Sequence, residues 1–247
     1  MSAPRTALVT GASRGIGRGI ALELARQGYA LTVSARSEAA LTALATELEA
    51  AGAPSVTVCA ADLAAPEAAA ALVASHTAAY DALHALVLCG GVGTAEPLDA
   101  LTERRLDKTF DVNLRTNLLL VRDSLDLLRA GAAADPHRGA RVIGVASITG
   151  VFAEPGLTVY GASKAALISM LETLNAEESA GGVMGTAIAP GFVDTDMSAW
   201  TADTIAPESM ITVDDVVAVV RMLVGLGVTA SIPRIVMARS GTAGYVA

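Results

Sequence analysis

The segment Thr10-Gly11-Ala12-Ser13-Arg14-Gly15-Ile16-Gly17 decides how this chain is read. It follows a short apolar run at residues 7–10 and opens a helix-forming stretch at 15–27 that stops at Gly28. Glycines between a strand and a helix permit a tight turn and let backbone N–H groups approach a pyrophosphate, while the helix N-terminus adds partial positive charge. The spacing is G-x-x-x-G-x-G, not the commoner G-x-G-x-x-G. A turn built of small residues for packing alone is the plain alternative, but the position between strand and helix favours phosphate. No Lys-Ser or Lys-Thr pair follows the glycines, so a P-loop is excluded.

Outward from the turn, short β-rich runs alternate with helical stretches. Strands are expected at residues 30–35, 55–60, 85–89, 141–147, 184–189 and 232–238, and helices at 38–51, 66–78, 155–180 and 213–226. Residues 98–130 form a long helical region, one helix or two joined, and 131–139 read as a polar loop. Strands alternating with helices imply βαβ crossovers and a parallel sheet, and nearly continuous apolar strands imply that both faces are covered. No repeat or linker divides the chain, so residues 1–247 are expected to form a single doubly wound α/β domain of Rossmann type.

Composition narrows the function classes. The chain is 53% hydrophobic and 17% charged, which fits a compact packed fold. Its net charge of −8, with no Lys/Arg cluster, argues against nucleic acid as a partner. Cys59 and Cys89 sit in apolar runs and read as two buried free thiols, and the scattered His76, His84 and His137 show no metal-ligand spacing. No run of about 18 apolar residues suggests a membrane span, and no signal peptide is apparent, so the expected location is the cytoplasm.

The second strand bears on the cofactor. An NAD site of this type places a carboxylate at the end of that strand, on the ribose 2′-OH. Here the strand ends Val33-Ser34-Ala35-Arg36-Ser37, without an acid, and Arg14 lies in the nearby turn. Guanidinium groups suit a 2′-phosphate, so NADP(H) is expected over NAD(H). The bland reading of Arg36 is an exposed charge opening the next helix.

Tyr160-Gly161-Ala162-Ser163-Lys164 lies in an expected helix, where i, i+4 spacing puts Tyr160 and Lys164 on one face. A nearby ammonium lowers a phenol's pKa and makes it a usable acid or base. Tyr-x-x-x-Lys alone is common by chance. Its context includes Ser147 ending the fifth strand, 13 residues earlier, and Asn113 in the long helical region.

Together these pieces resemble a short-chain dehydrogenase/reductase. The Thr-Gly-x-x-x-Gly-x-Gly turn, Asp62-Leu63, Asn113, Ser147, Tyr160/Lys164 and Pro190-Gly191 with Thr195 stand in family order from residue 5 to about 198. The resemblance implies a seven-stranded parallel sheet and hydride transfer between NADP(H) and a carbonyl or secondary alcohol on a small organic substrate, possibly hydrophobic or acyl-type. By the same resemblance, Tyr160 is the acid/base, Lys164 lowers its pKa and binds the nicotinamide ribose, Ser147 holds the substrate oxygen, and Asn113 anchors a relay water. Cofactor contacts fall to Gly11, Ser13, Arg14, Gly15, Ile16, Gly17, Arg36, Asp62, Leu63, Cys89, Gly90, Asn113, Tyr160, Lys164, Pro190, Gly191, Val193 and Thr195. No metal is implied. A homodimer or homotetramer is expected, with the leucines of 118–128 compatible with an interface or simply with the core.

There are departures. The family usually carries Asn-Asn-Ala-Gly after the fourth strand, where this chain has Leu88-Cys89-Gly90-Gly91. A Gly-Gln pair usually opens the last strand, where Ala230-Ser231-Ile232-Pro233 stands. Residues 192–210, with Met197, Trp200 and Met210, form either a lid over the substrate or a surface loop with one anchoring aromatic. Glu154 either touches substrate or is exposed, the second reading being favoured. Pocket walls are expected from residues 94–97, 148–155 and 192–210. The rival readings are a catalytically inactive NADP(H)-binding regulator or scaffold, and an epimerase or dehydratase on the same scaffold.

Overall fold

The computed structural model describes residues 3–93, 95–201 and 203–242. Thr94 and Ala202, counted above among the pocket walls, lie outside them. Seven strands alternate with seven helices: β1 (Thr6–Thr10), α1 (Gly15–Arg26), β2 (Ala30–Ala35), α2 (Glu38–Ala51), β3 (Val56–Ala60), α3 (Ala68–Thr77), β4 (Ala85–Leu88), α4 (Glu103–Phe110), α5 (Thr116–Ala134), β5 (Ala140–Val145), α6 (Thr158–Glu178), β6 (Val183–Pro190), α7 (Val213–Gly225) and β7 (Arg234–Met237). The strands form one parallel sheet in the order β3-β2-β1-β4-β5-β6-β7. Chain direction across the sheet therefore reverses between β1 and β4, where open α/β sheets leave a crevice at the strands' carboxyl ends.

Strand periodicity builds two cores. Ala7 and Val9 of β1 and Val87 of β4 face Leu24 of α1, Leu44 of α2 and Val220 of α7. The alternate residues Leu8, Leu86 and Leu88 face Leu72 of α3, Leu128 of α5 and Leu171 of α6. The central strands are fully buried, but the edge strands β3 and β7 are only half-covered. None of the helices among the described residues is long and apolar enough to cross a membrane.

Of the two forms expected for the region 98–130, one helix or two joined, the structure shows the second: α4 and α5 are joined by a π-helical turn at Asp111–Arg115. One boundary differs from expectation. The expected loop at Gly131 is instead the last turn of α5, because a glycine there lets the helix lie directly on the strand β4 approach; a Cβ would stand 2.2 Å from the Leu83 carbonyl oxygen. Arg141 on β5 is buried, and its guanidinium donates to the carbonyls of Leu226, Gly227 and Ala230 beyond α7. Expected to be buried, Cys59 and Cys89 are both partly buried, the one on an edge strand and the other lining the crevice.

The glycine turn closes by backbone contact. Gly11 has φ +65°, and a Cβ there would lie 2.9 Å from the Gly90 Cα. A Cβ on Gly17 would lie 2.3 Å from the Gly11 carbonyl oxygen, so the first turn of α1 packs against the loop that precedes it. Gly225, by contrast, has open space around it. Gly17→Ala should destabilise the protein by roughly 1–3 kcal/mol through overpacking against backbone. Gly225→Ala should be neutral or stabilising by up to about 1 kcal/mol. Urea unfolding of the two variants checks both signs.

Two buried histidines stitch the amino ends of the strands. His84 Nδ1 accepts from the Thr6 N–H at 3.1 Å. His76 Nε2 donates to the Ala82 carbonyl at 3.1 Å and its Nδ1 meets the Thr32 hydroxyl at 2.8 Å. Burial pulls His84 down to about 4 and lowers His76 as well. Both are therefore neutral when folded, whereas in the unfolded chain they gain protons below about 6.5. Their contribution is complete above that pH and is lost on acidification. Lowering the pH from roughly 7.5 to about 5 should cost on the order of 2 kcal/mol through His84 alone. His84→Asn, which keeps an acceptor for Thr6, should flatten that part of the stability–pH curve.

Candidate active site

The carboxyl ends of β1, β4, β5 and β6 open into a cleft of about 1100 Å³. The turn after β1 supplies Gly11, Ser13, Arg14, Gly15, Ile16 and Gly17, and the end of β2 supplies Ser34, Ala35, Arg36 and Ser37. Asp62 and Leu63 follow β3, and Cys89 and Gly90 follow β4. Ser147, Tyr160, Lys164, Pro190, Gly191, Val193 and Thr195 complete the opposite wall. Every site residue expected from the sequence thus lines this cleft except Asn113.

Thr10 holds the floor together. Its hydroxyl accepts from the N–H groups of Cys89 at 3.0 Å and Gly90 at 3.1 Å, and donates to the Val87 carbonyl at 3.3 Å. A threonine on β1 therefore orders the Leu88–Gly91 segment, where the family pattern has asparagines. Burial pushes the Cys89 thiol up to about 12, so it stands in the cleft as a neutral group.

Asn113 is fully buried behind the wall, within the π-helical turn. Its side chain accepts from the Val92 N–H at 2.9 Å and donates to the Val92 carbonyl and the Ser163 hydroxyl, each at 3.0 Å. Its own carbonyl accepts from Asn117. The π register turns this side chain toward the β4 loop, a common feature of functional sites. Asn113 thereby ties that loop to α6. Ser163, inside the Tyr-x-x-x-Lys segment, was not singled out from the sequence; its only signal is its small size one residue before Lys164.

Tyr160 and Lys164 share the inner face of α6. The Lys164 ammonium lies 5.7 Å from the Tyr160 ring and donates to the Val145 carbonyl at 2.8 Å. Burial draws its pKa down to about 8, against a smaller opposing effect of Cys89. Tyr160 is held above its ordinary value by burial, partly offset by a hydrogen bond with Ser147. In this geometry desolvation, rather than the ammonium, sets the phenol's pKa, and Ser147 is the group that favours its ionised form. The Val145 carbonyl is a backbone group at a strand end, with no sequence signal.

On the charged rim, Arg14 pairs with Asp196 at 3.1 Å across the cleft, with both side chains largely exposed. Arg36 is exposed, lines the cleft and makes no ion pair among the described residues. Thr195 also closes on the turn, since a Cβ on Gly15 would lie 3.3 Å from its methyl. The segment carrying these residues is pinned at both ends, through Ile211 bonded to Phe192 and Asp194. Between them Phe192, Met197 and Trp200 line the cleft, and Trp200 meets Phe192 edge-on at 6.0 Å. Trp200 itself is 63% exposed, and Met210 does not line the cleft. Glu154 is half-buried, not exposed, and burial raises its carboxyl pKa.

Comparison with known proteins matches this arrangement. The chain is 33% identical over 194 residues to the 3-oxoacyl-(acyl-carrier-protein) reductase FabG of Rickettsia bellii, covering 78% of this chain and 75% of that one. Its fold is similar to that of an alcohol dehydrogenase from the archaeon Thermococcus sibiricus, solved with 5-hydroxy-NADP (TM-score 0.86, 25% identity, 97% of each chain). It is also similar to that of a 3-oxoacyl-(acyl-carrier protein) reductase from Brucella melitensis, solved with NAD (TM-score 0.83, 27% identity, 96% of each chain). A profile of the short chain dehydrogenases matches residues 5–205. With that match spanning most of its length, the chain belongs to the short chain dehydrogenase family.

Proposed function

We propose that the protein is an NADP(H)-dependent reductase of hydrophobic or 3-oxoacyl-type ketones. The observation that carries this reading is the convergence of Ser147, Tyr160 and Lys164 on one wall of a cleft whose other wall is the glycine turn. The cleft residues fit a dinucleotide. Gly11 and Gly15 adopt positive φ and present backbone without side chains, at the N-terminus of α1. Ala35 stands where an acidic residue would repel a 2′-phosphate, Arg36 follows it, and Arg14 is within the same rim. The two solved structures named above carry 5-hydroxy-NADP and NAD, so the preference for the phosphate rests on Arg36 and the missing carboxylate.

The nicotinamide, when bound, supplies the hydride chemistry. The chain's own residues do the rest. Ser147 donates a hydrogen bond to the substrate oxygen. Tyr160, whose phenol burial holds above its ordinary range, delivers the proton to that oxygen. Lys164, whose own pKa lies near about 8, places its positive charge beside the phenol and falls silent as the pH rises above that value. Asn113 fixes the β4 loop against α6. Phe192, Met197 and Trp200 offer an apolar wall to the substrate chain.

Tyr160→Phe should lower kcat for ketone reduction by about 10²–10⁴ while leaving NADPH affinity within about twofold. Steady-state kinetics and a fluorescence titration separate the two, and near-normal turnover would refute the assignment. Arg36→Ala should raise KM for NADPH by roughly tenfold or more and leave that for NADH unchanged, since a charge-assisted bond is worth about 1.5–3 kcal/mol. A wild-type enzyme that already prefers NADH would refute the cofactor choice.

A further inference from the structure

We infer that Thr149 is a positioning residue that makes Ser147 a donor only, so that its hydroxyl can give a hydrogen bond to the Tyr160 or substrate oxygen but cannot accept one. The inference deepens the functional reading above and rests on it for the roles of Ser147 and Tyr160.

A serine hydroxyl has one proton and two lone pairs. The Ser147 Oγ already accepts two bonds, from the Thr149 N–H at 3.2 Å and from the Thr149 hydroxyl at 2.9 Å. Both donors are buried, at 8% exposure, and Ser147 itself is 7% exposed, so water does not compete freely for them. With both lone pairs taken, what Ser147 has left for the cleft is its proton. Two donors on one hydroxyl also polarise its O–H bond and strengthen the bond it gives.

The turn that carries Thr149 is held against the catalytic helix. Ser147 caps a short 3₁₀ turn, Ile148–Gly150. A Cβ on Gly150 would lie 2.8 Å from the carbonyl carbon of Lys164, and a Cβ on Gly161 would lie 2.8 Å from the Thr149 carbonyl oxygen. The turn therefore rests on α6 between Tyr160 and Lys164 at backbone contact. The donor pair on Ser147 is fixed relative to the phenol, and the only direction left to the Ser147 proton is the cleft.

A site built this way discriminates by hydrogen-bond polarity. A carbonyl or developing alkoxide oxygen accepts from Ser147 and is favoured. A substrate group that needs Ser147 as its acceptor finds no lone pair. The bond strengthens as charge grows on the substrate oxygen, so its main effect falls on kcat rather than KM.

The test compares Thr149→Val, which keeps shape and backbone bond but loses the hydroxyl, with Thr149→Ser, which restores it. Titratable groups around Tyr160 are Lys164 on its helix, Cys89 beyond β4, Glu154 in the preceding loop, and Lys108, Asp194 and Asp196 around the cleft; all are unchanged in these variants. Ultraviolet difference titration of the cofactor-free protein, with Tyr160→Phe to assign the signal, reads the phenol without requiring turnover. Thr149→Val should ionise Tyr160 about half a pH unit higher than wild type, because a weaker Ser147 donor stabilises the phenolate less, and Thr149→Ser should match wild type. With NADPH and an acetoacetyl thioester, Thr149→Val should lose about fivefold in kcat with KM within about twofold. An unshifted titration in Thr149→Val, or equal impairment of Val and Ser variants, overturns the inference. Should Thr149→Val not fold, Thr149→Ala must show the same shift. A shifted titration in a protein that reduces no ketone would refute the functional reading and leave the hydrogen-bond assignment standing.

Discussion

The hydroxyl of Thr10 is the interaction on which the site depends. It bridges the last residue of β1 to the two N–H groups that follow β4, at the point where strand order reverses. That bridge brings Gly11 and Gly90 to backbone contact and so sets the floor of the cleft. A side chain on Gly11 would push the two turns apart, and one on Gly90 would run into the Leu63 side chain. Both walls are referred to this floor: the turn leading into α1 on one side, and the segment Leu88–Gly91 with the Asn113 anchor on the other.

The reactive groups are held at a cost in solvation. Lys164 is buried with its ammonium spent on one backbone carbonyl, and Tyr160 is half-buried with a pKa that desolvation raises. Neither arrangement would persist on a mobile loop. They persist because α6 packs its other side into the core through Leu167 and Leu171, while the 3₁₀ turn after β5 meets its inner face without intervening side chains. The rigid part of the site is thus the Ser147–α6 unit. The adjustable part is the rim, where the exposed Arg14–Asp196 pair is weak and screened by salt.

Membership of the short chain dehydrogenases was legible in the sequence because it rests on residue types at fixed spacing. So was the sheet, because strands covered on both faces carry near-continuous apolar runs. Less legible were the places where long-range contact overrides local preference. Gly131 reads as a helix stop, yet α5 continues through it because the glycine fits against Leu83. The π-helical turn that joins α4 to α5 has no composition signal, since it uses ordinary helix formers.

By itself the sequence determined the βαβ order, the glycine turn, the missing carboxylate at Ala35 and the company kept by Tyr160 and Lys164. Those follow from local chemistry: which residues tolerate positive φ, which repeat with strand or helix period, which carry charge. Only the tertiary structure decided that Asn113 stands behind the cleft rather than in it, that Arg14 pairs with Asp196 while Arg36 does not pair among the described residues, and that Ser147 receives both of its accepted bonds from Thr149. Each of these depends on which backbone groups and partners arrive beside a side chain after packing. Burial and hydrogen-bond occupancy are properties of that arrangement, and residue spacing does not carry them.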